Sequence, residues 1–143
     1  MQITFRRVSN GEHAVEVVRR DGSTDRVVLA SKDFLRHDFA HLALEMELGL
    51  GAGVWGSVAS GGRLSGDGLD GADVALAERA AGPLQTLIRT EAEVTAYEEL
   101  LAATFPDRAT TELAERLHER VRRLIGHWNA TPFGAAMIVE WPE

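Results

Sequence analysis

Residues 2–30 read QITFRRVSNGEHAVEVVRRDGSTDRVVLA, and the alternation within them decides the fold class. Ile3 and Phe5 alternate with Thr4 and Arg6, Val15 and Val17 flank Glu16, and Val27 and Leu29 follow the same rule. Successive side chains of a strand point to opposite faces, so this is the pattern of half-buried strands. Asn10-Gly11 and Asp21-Gly22 separate the three runs and are strong hairpin signals. Two-residue turns would set Phe5 opposite Glu16 and mix the two faces. Three-residue loops, each with its glycine in the left-handed region, set Ile3 opposite Val17, Phe5 opposite Val15, Val15 opposite Val27 and Glu16 opposite Arg26. Only the second register keeps one face apolar, so it is the one expected.

Working outward, the rest is mostly helical. Ser31 is placed to cap a first helix over 31–48, which Gly49 ends. Residues 49–71 hold nine of the 14 glycines and read as a long irregular loop, either a flap or an ordered functional segment. Helical periodicity returns over 72–129. Gly82-Pro83 should kink or restart the chain there, and Thr90-Glu91-Ala92-Glu93 is a capping-box sequence. The final helix starts near Thr111 and carries Leu113, Leu117, Val121, Leu124 and Trp128 on one stripe. Residues 135–141 read as a last strand with Met137, Val139 and Trp141 on one face, most simply paired beside the N-terminal strand. The expected fold is a single α+β domain over 1–143: an N-terminal three-stranded antiparallel meander plus a C-terminal strand, with about four helices on one face.

Composition narrows the function classes. The chain has 143 residues, no cysteine and a net charge of −7. Zinc–thiolate sites and cysteine nucleophiles are therefore excluded. The acidic balance argues against nucleic acid and against an anionic membrane surface as partners. The absence of a signal pattern or a long apolar run leads to the expectation of a cytoplasmic protein. Fourteen Arg against a single Lys, Lys32, with abundant Ala and Gly, suggests a GC-rich bacterial genome. Arg116, Arg120, Arg122 and Arg123 lie among Glu112, Glu115 and Glu119 at helical spacing and read as ion pairs on a solvated helix face.

One segment is site-like. His37, Asp38, His41 and Glu45 fall within a stripe about 100° wide on the first helix. Leu42, Leu35, Met46, Phe39 and Leu50 form the apolar stripe, and Ala43, Arg36, Glu47 and Ala40 form the expected solvent face. Histidines four residues apart can reach one divalent ion. His37, His41 and Glu45 are the candidate ligands, with His118 or His127 able to complete the shell. Asp38 is the candidate catalytic or proton-transfer group, and Trp55 a candidate lid residue or loop anchor. By ligand type the ion would be zinc, iron, manganese or nickel. The alternative is a purely structural His41–Glu45 hydrogen bond. Gly51-Ala52-Gly53-Val54-Trp55-Gly56 has the spelling of a dinucleotide fingerprint but follows a helix rather than a strand, so close backbone approach is the better reading. Asp67, Asp70 and Asp73 fit no calcium loop and read as turn and cap residues.

The pattern His37-Asp38-x-x-His41-x-x-x-Glu45-x-Glu47-x-Gly49-Leu50, followed by Gly53-x-Trp55-Gly56, resembles a family of small uncharacterised bacterial proteins of similar length that open on a β-meander. The resemblance covers roughly the N-terminal half and implies no activity. Three functions stay open: a metal-binding or acid–base enzyme, hydrolytic by default; a non-enzymatic homodimeric interaction module; and a carrier for a small molecule in a cavity between sheet and helices.

Overall fold

The computed structural model describes residues 1–142. Three strands, β1 (Gln2–Arg7), β2 (Glu12–Val18) and β3 (Thr24–Ala30), lead directly into helix α1 (Ser31–Leu48). Helices α2 (Val54–Ala59), α3 (Ala72–Arg89), α4 (Val94–Thr104) and α5 (Thr111–Asn129) follow, and β4 (Ala136–Glu140) closes the chain. The antiparallel sheet has the order β3-β2-β1-β4. The expected register holds throughout: Ile3 faces Val17, Phe5 faces Val15, Val15 faces Val27 and Glu16 faces Arg26. β4 pairs with β1, as expected, setting Phe5 opposite Met137. Gly22 takes the left-handed conformation at φ 84°, whereas Gly11 does not, so only the second loop uses the expected glycine bulge.

One face of the sheet packs on α1, with Phe5 and Phe39 in an edge-to-face contact at 5.1 Å. Leu35, Phe39, Leu42 and Leu50 of the expected apolar stripe of α1 are buried and Met46 is partly so; of its expected solvent face, Arg36 is exposed but the rest is not. Ala40 and Ala43 are fully buried, and both α3 and α5 pack on α1. Glu47 is held by Arg116 and Arg120 of α5 at 3.1 and 2.7 Å. The arginine cluster is thus half cross-helix brace and half local pairing, Arg122 and Arg123 meeting Glu119 within α5. A helix buried on several sides needs small residues where a neighbour approaches, and the alanines supply them.

Four further expectations are corrected. Ser31 does not cap α1; Ala30 is the cap residue, and the Ser31 hydroxyl turns to His13. α3 runs unbroken through Gly82-Pro83. Both residues are exposed, so the Arg79 carbonyl that proline leaves unbonded faces water, and buried Ala80, Ala81 and Leu84 hold the two halves in line. The capping box does not form; Thr90 ends α3 and Glu93 precedes α4. The glycine-rich segment contains α2, a short helix absent from the sequence reading.

Arginines tie the helix ends to the rest of the molecule. Arg108 donates to the Leu48 carbonyl at the end of α1. Arg19 donates to the carbonyls of Val58 at 2.6 Å, in the last turn of α2, and of Gly62 at 2.7 Å, just beyond it. Arg7 donates to Trp128 at 2.9 Å and Thr131 at 3.0 Å, at the end of α5, while stacking over the Trp128 ring. The last carbonyls of a helix have no partner within it and carry its negative pole, so a forked cation satisfies both needs. No helix among the described residues is long and apolar enough to cross a membrane.

Candidate metal centre

The site begins with the spacing on α1. His37 and His41 lie one turn apart, and their rings meet edge to face at 4.6 Å. The third group comes from α3. Buried Ala77, Ala80 and Ala81 let α3 approach α1 closely, and Glu78, beside them, reaches the two imidazoles. Its carboxylate oxygens lie 3.2 Å from His41 Nε2 and 3.7 Å from His37 Nε2. His37, His41 and Glu78 each offer a ligand atom, and these lie within 4.8 Å of one another. The three residues could therefore hold a metal ion.

Glu45 is not in that cluster. Its Oε2 lies 3.1 Å from His41 Nδ1, on the side of the ring away from Glu78. Its Oε1 accepts the Trp55 backbone N–H at 2.9 Å, and the Gly56 backbone adds a second donor. The carboxylate of α1 thereby satisfies the open N–H groups at the start of α2. Burial pushes the Glu45 carboxyl up, and the His41 and backbone contacts oppose that rise. With Nδ1 occupied by Glu45, His41 directs Nε2 at Glu78. A metal-bound histidine characteristically has its other nitrogen fixed by a carboxylate in this way.

The glycine spelling is explained at the same point. A Cβ on Gly53 would lie 2.2 Å from Glu45 Oε1, and one on Gly56 would lie 2.0 Å from the Gly51 carbonyl. Close approach, not a nucleotide, requires these glycines. Trp55 is an anchor: only 3% exposed, it packs on Phe5 and donates from its indole to the Asp38 carbonyl at 3.3 Å.

Asp38 sits between two histidines. Oδ1 is 4.0 Å from His37 Nδ1, and Oδ2 is 3.6 Å from Nε2 of His13, a fully buried residue of β2 whose Nδ1 meets the Ser31 hydroxyl at 3.0 Å. Asp38 is the main cause that holds the His37 pKa above the ordinary imidazole value; partial burial opposes it and Glu78 assists. Among the described residues, the buried side-chain atoms without a hydrogen-bond partner are His13 Nε2, Asp38 Oδ2 and His41 Nε2. His13 Nε2 and Asp38 Oδ2 face each other at 3.6 Å, and His41 Nε2 faces a Glu78 oxygen at 3.2 Å. Native proteins rarely leave such atoms unpaired, and an ion or a catalytic role is among the reasons they do.

A cleft of about 360 Å³ adjoins the cluster, bounded by β2, β3, α1, α2 and the start of α3. Its lining is chiefly apolar, with Val27, Leu29, Val58, Leu64 and Leu69 prominent, and its ionisable residues are His37, Asp38 and Glu78. The loop over it is tied down by Asp25, which accepts the Leu64 N–H at 2.9 Å. His118 packs against Tyr97 of α4 at 5.0 Å and His127 is exposed at the end of α5; neither belongs to the cluster.

Glu78 and His13 were missed from sequence. His13 occupies an inward position of β2, in phase with Val15 and Val17, which was a legible signal. Glu78 was not legible, because no local pattern states which helix lies beside α1. No protein-family model, curated protein sequence or solved structure matches the chain.

Proposed function

We propose that the protein binds a divalent transition metal ion on His37, His41 and Glu78 and acts on a small molecule admitted by the adjoining cleft, with hydrolysis as the reaction class. The observation that carries this reading is His41 Nε2: buried, without a hydrogen-bond partner, 3.2 Å from a Glu78 oxygen, with the opposite nitrogen already engaged by Glu45. Two imidazoles and one carboxylate leave a coordination position open, the arrangement of reactive rather than structural zinc sites. A bound ion would supply Lewis acidity and would lower the pKa of a water molecule. The chain's own groups divide the remaining work. Glu45 orients His41, Asp38 stands at the cleft wall as the proton acceptor, and His13 and Ser31 position Asp38 from behind.

The test is elemental analysis after dialysis against zinc and then against metal-free buffer. About one ion per chain is expected in the native protein, and none in His41→Ala. Equal metal content in both, or none in either, would refute the reading.

A further inference from the structure

The metal site leaves a second cavity unused. It lies between the end of α3, the turn into α4, α4 itself and α5, with a volume of about 560 Å³, and shares no lining residue with the cleft beside His37. Leu87, Ile88, Val121 and Ile125 give it hydrocarbon walls, and a pair of rings gives it a polar interior. Tyr97 is 2% exposed, and among the described residues its hydroxyl makes no hydrogen bond. That oxygen is not sealed from water as the orphaned atoms of His13, Asp38 and His41 are, so it opens into the cavity that Tyr97 lines. Burial pushes the Tyr97 pKa up to about 12, so the phenol keeps its proton and stays a donor. His118, edge to face on the Tyr97 ring, lines the same cavity and makes no hydrogen bond among the described residues either. The wall is preformed. Glu91 closes α3 in the left-handed conformation at φ 51°, with the Ala92 N–H on the Leu87 carbonyl at 3.0 Å.

We propose that this cavity binds a neutral, ring-sized apolar molecule through a single hydroxyl or carbonyl oxygen, which accepts from Tyr97 and meets His118 while its hydrocarbon lies on Leu87, Ile88, Val121 and Ile125. A buried donor in a native protein is normally supplied with an acceptor, and the cavity is the open approach to this one. The volume is within the range of small-molecule sites. Charge selects neither sign. Glu91 and Glu93 line the cavity against Arg122, and all three are exposed, so their charges face water. An ion of either sign would leave water for hydrocarbon walls with a like charge at the rim, whereas a neutral oxygen loses little.

Tyr97 is the chain's single tyrosine, so protein labelled with ¹³C-tyrosine reports on the cavity through one residue's ring signals. Cyclohexanol, cyclohexylamine and cyclohexanecarboxylate share one ring and differ in charge. Cyclohexanol should shift the Tyr97 signals saturably, and each ion should bind roughly fivefold more weakly or worse. Tyr97→Phe keeps the ring and removes the donor. Its cyclohexanol affinity, read by calorimetry, should fall about fivefold, the size of one lost hydrogen bond. Zinc uptake by the same variant should match that of the native protein, because Tyr97 touches none of the proposed ligands. Absence of a saturable shift at Tyr97, an ion binding as tightly as cyclohexanol, or undiminished affinity in Tyr97→Phe would overturn the inference.

Discussion

Gly53→Ala puts the site's construction to a quantitative test. The new methyl carbon would sit 2.2 Å from Glu45 Oε1 and 2.5 Å from Cδ, where ordinary contact begins at 3.4 Å. Neither neighbour has room to give way: Glu45 is 1% exposed and Gly53 opens α2. The carboxylate must withdraw by about 1 Å, which stretches its bonds to the Trp55 N–H and to His41 beyond hydrogen-bond range. Leaving buried polar groups unpaired costs about 1–3 kcal/mol, and forcing extra volume into a packed site costs a similar amount. A loss of about 3 kcal/mol lowers the melting temperature of a chain this size by about 6–12 °C. Gly51→Ala is the matched control. Its Cβ meets nothing within 4 Å, so it should stay within about 1 kcal/mol of the native protein. Urea and thermal unfolding of the metal-free proteins would measure both. If the two variants unfold alike, Glu45 is not locked between α2 and His41, and the orientation of His41 loses its cause.

Other outcomes follow from the same geometry. Glu45→Gln keeps an acceptor for Trp55 but removes the charge from His41 Nδ1, so zinc affinity should fall about 10- to 100-fold with the fold retained; equilibrium dialysis reads this. His37 has a folded pKa above its unfolded value, so its contribution to stability is complete below the unfolded pKa and is lost as pH rises through the folded one. Without metal, His37→Ala should therefore destabilise the protein more at about pH 5 than at about pH 9, as measured by denaturant unfolding. Zinc must displace the same proton, so zinc affinity should rise with pH over that range. Asp25 has the opposite sign. Its carboxyl lies below the usual range, chiefly through the Leu64 N–H, so its tether holds above the unfolded pKa and weakens as pH falls through the folded one. Asp25→Asn should speed hydrogen exchange at Leu64 at neutral pH.

The sheet was legible because period two and loop length together leave one register in which Phe5, Val15 and Val27 share a face. The candidate helix was legible because His37, His41 and Glu45 are neighbours by spacing alone. What escaped was set by contacts between distant segments. Ala40 and Ala43 read as solvent-facing residues, yet both are fully buried in a helix packed against two others. Glu45 has the same spacing to His41 whether it binds an ion or steadies the ring; its bonds to His41 and to the Trp55 N–H leave it outside the group formed by His37, His41 and Glu78. The short α2 hid among glycines because Gly53 and Gly56 serve close approach rather than flexibility. Glu78 is one of many exposed acids, marked only by the alanines that bring α3 against α1.

The zinc affinity of Glu78→Ala tests the central claim most directly. Glu78 is half exposed and, among the described residues, its ionic partners are His37 and His41, so its removal should leave the melting temperature of the metal-free protein nearly unchanged. Zinc binding should weaken by more than about 100-fold, exceeding the effect of Glu45→Gln. Undiminished zinc binding in a folded Glu78→Ala protein would contradict the ligand set.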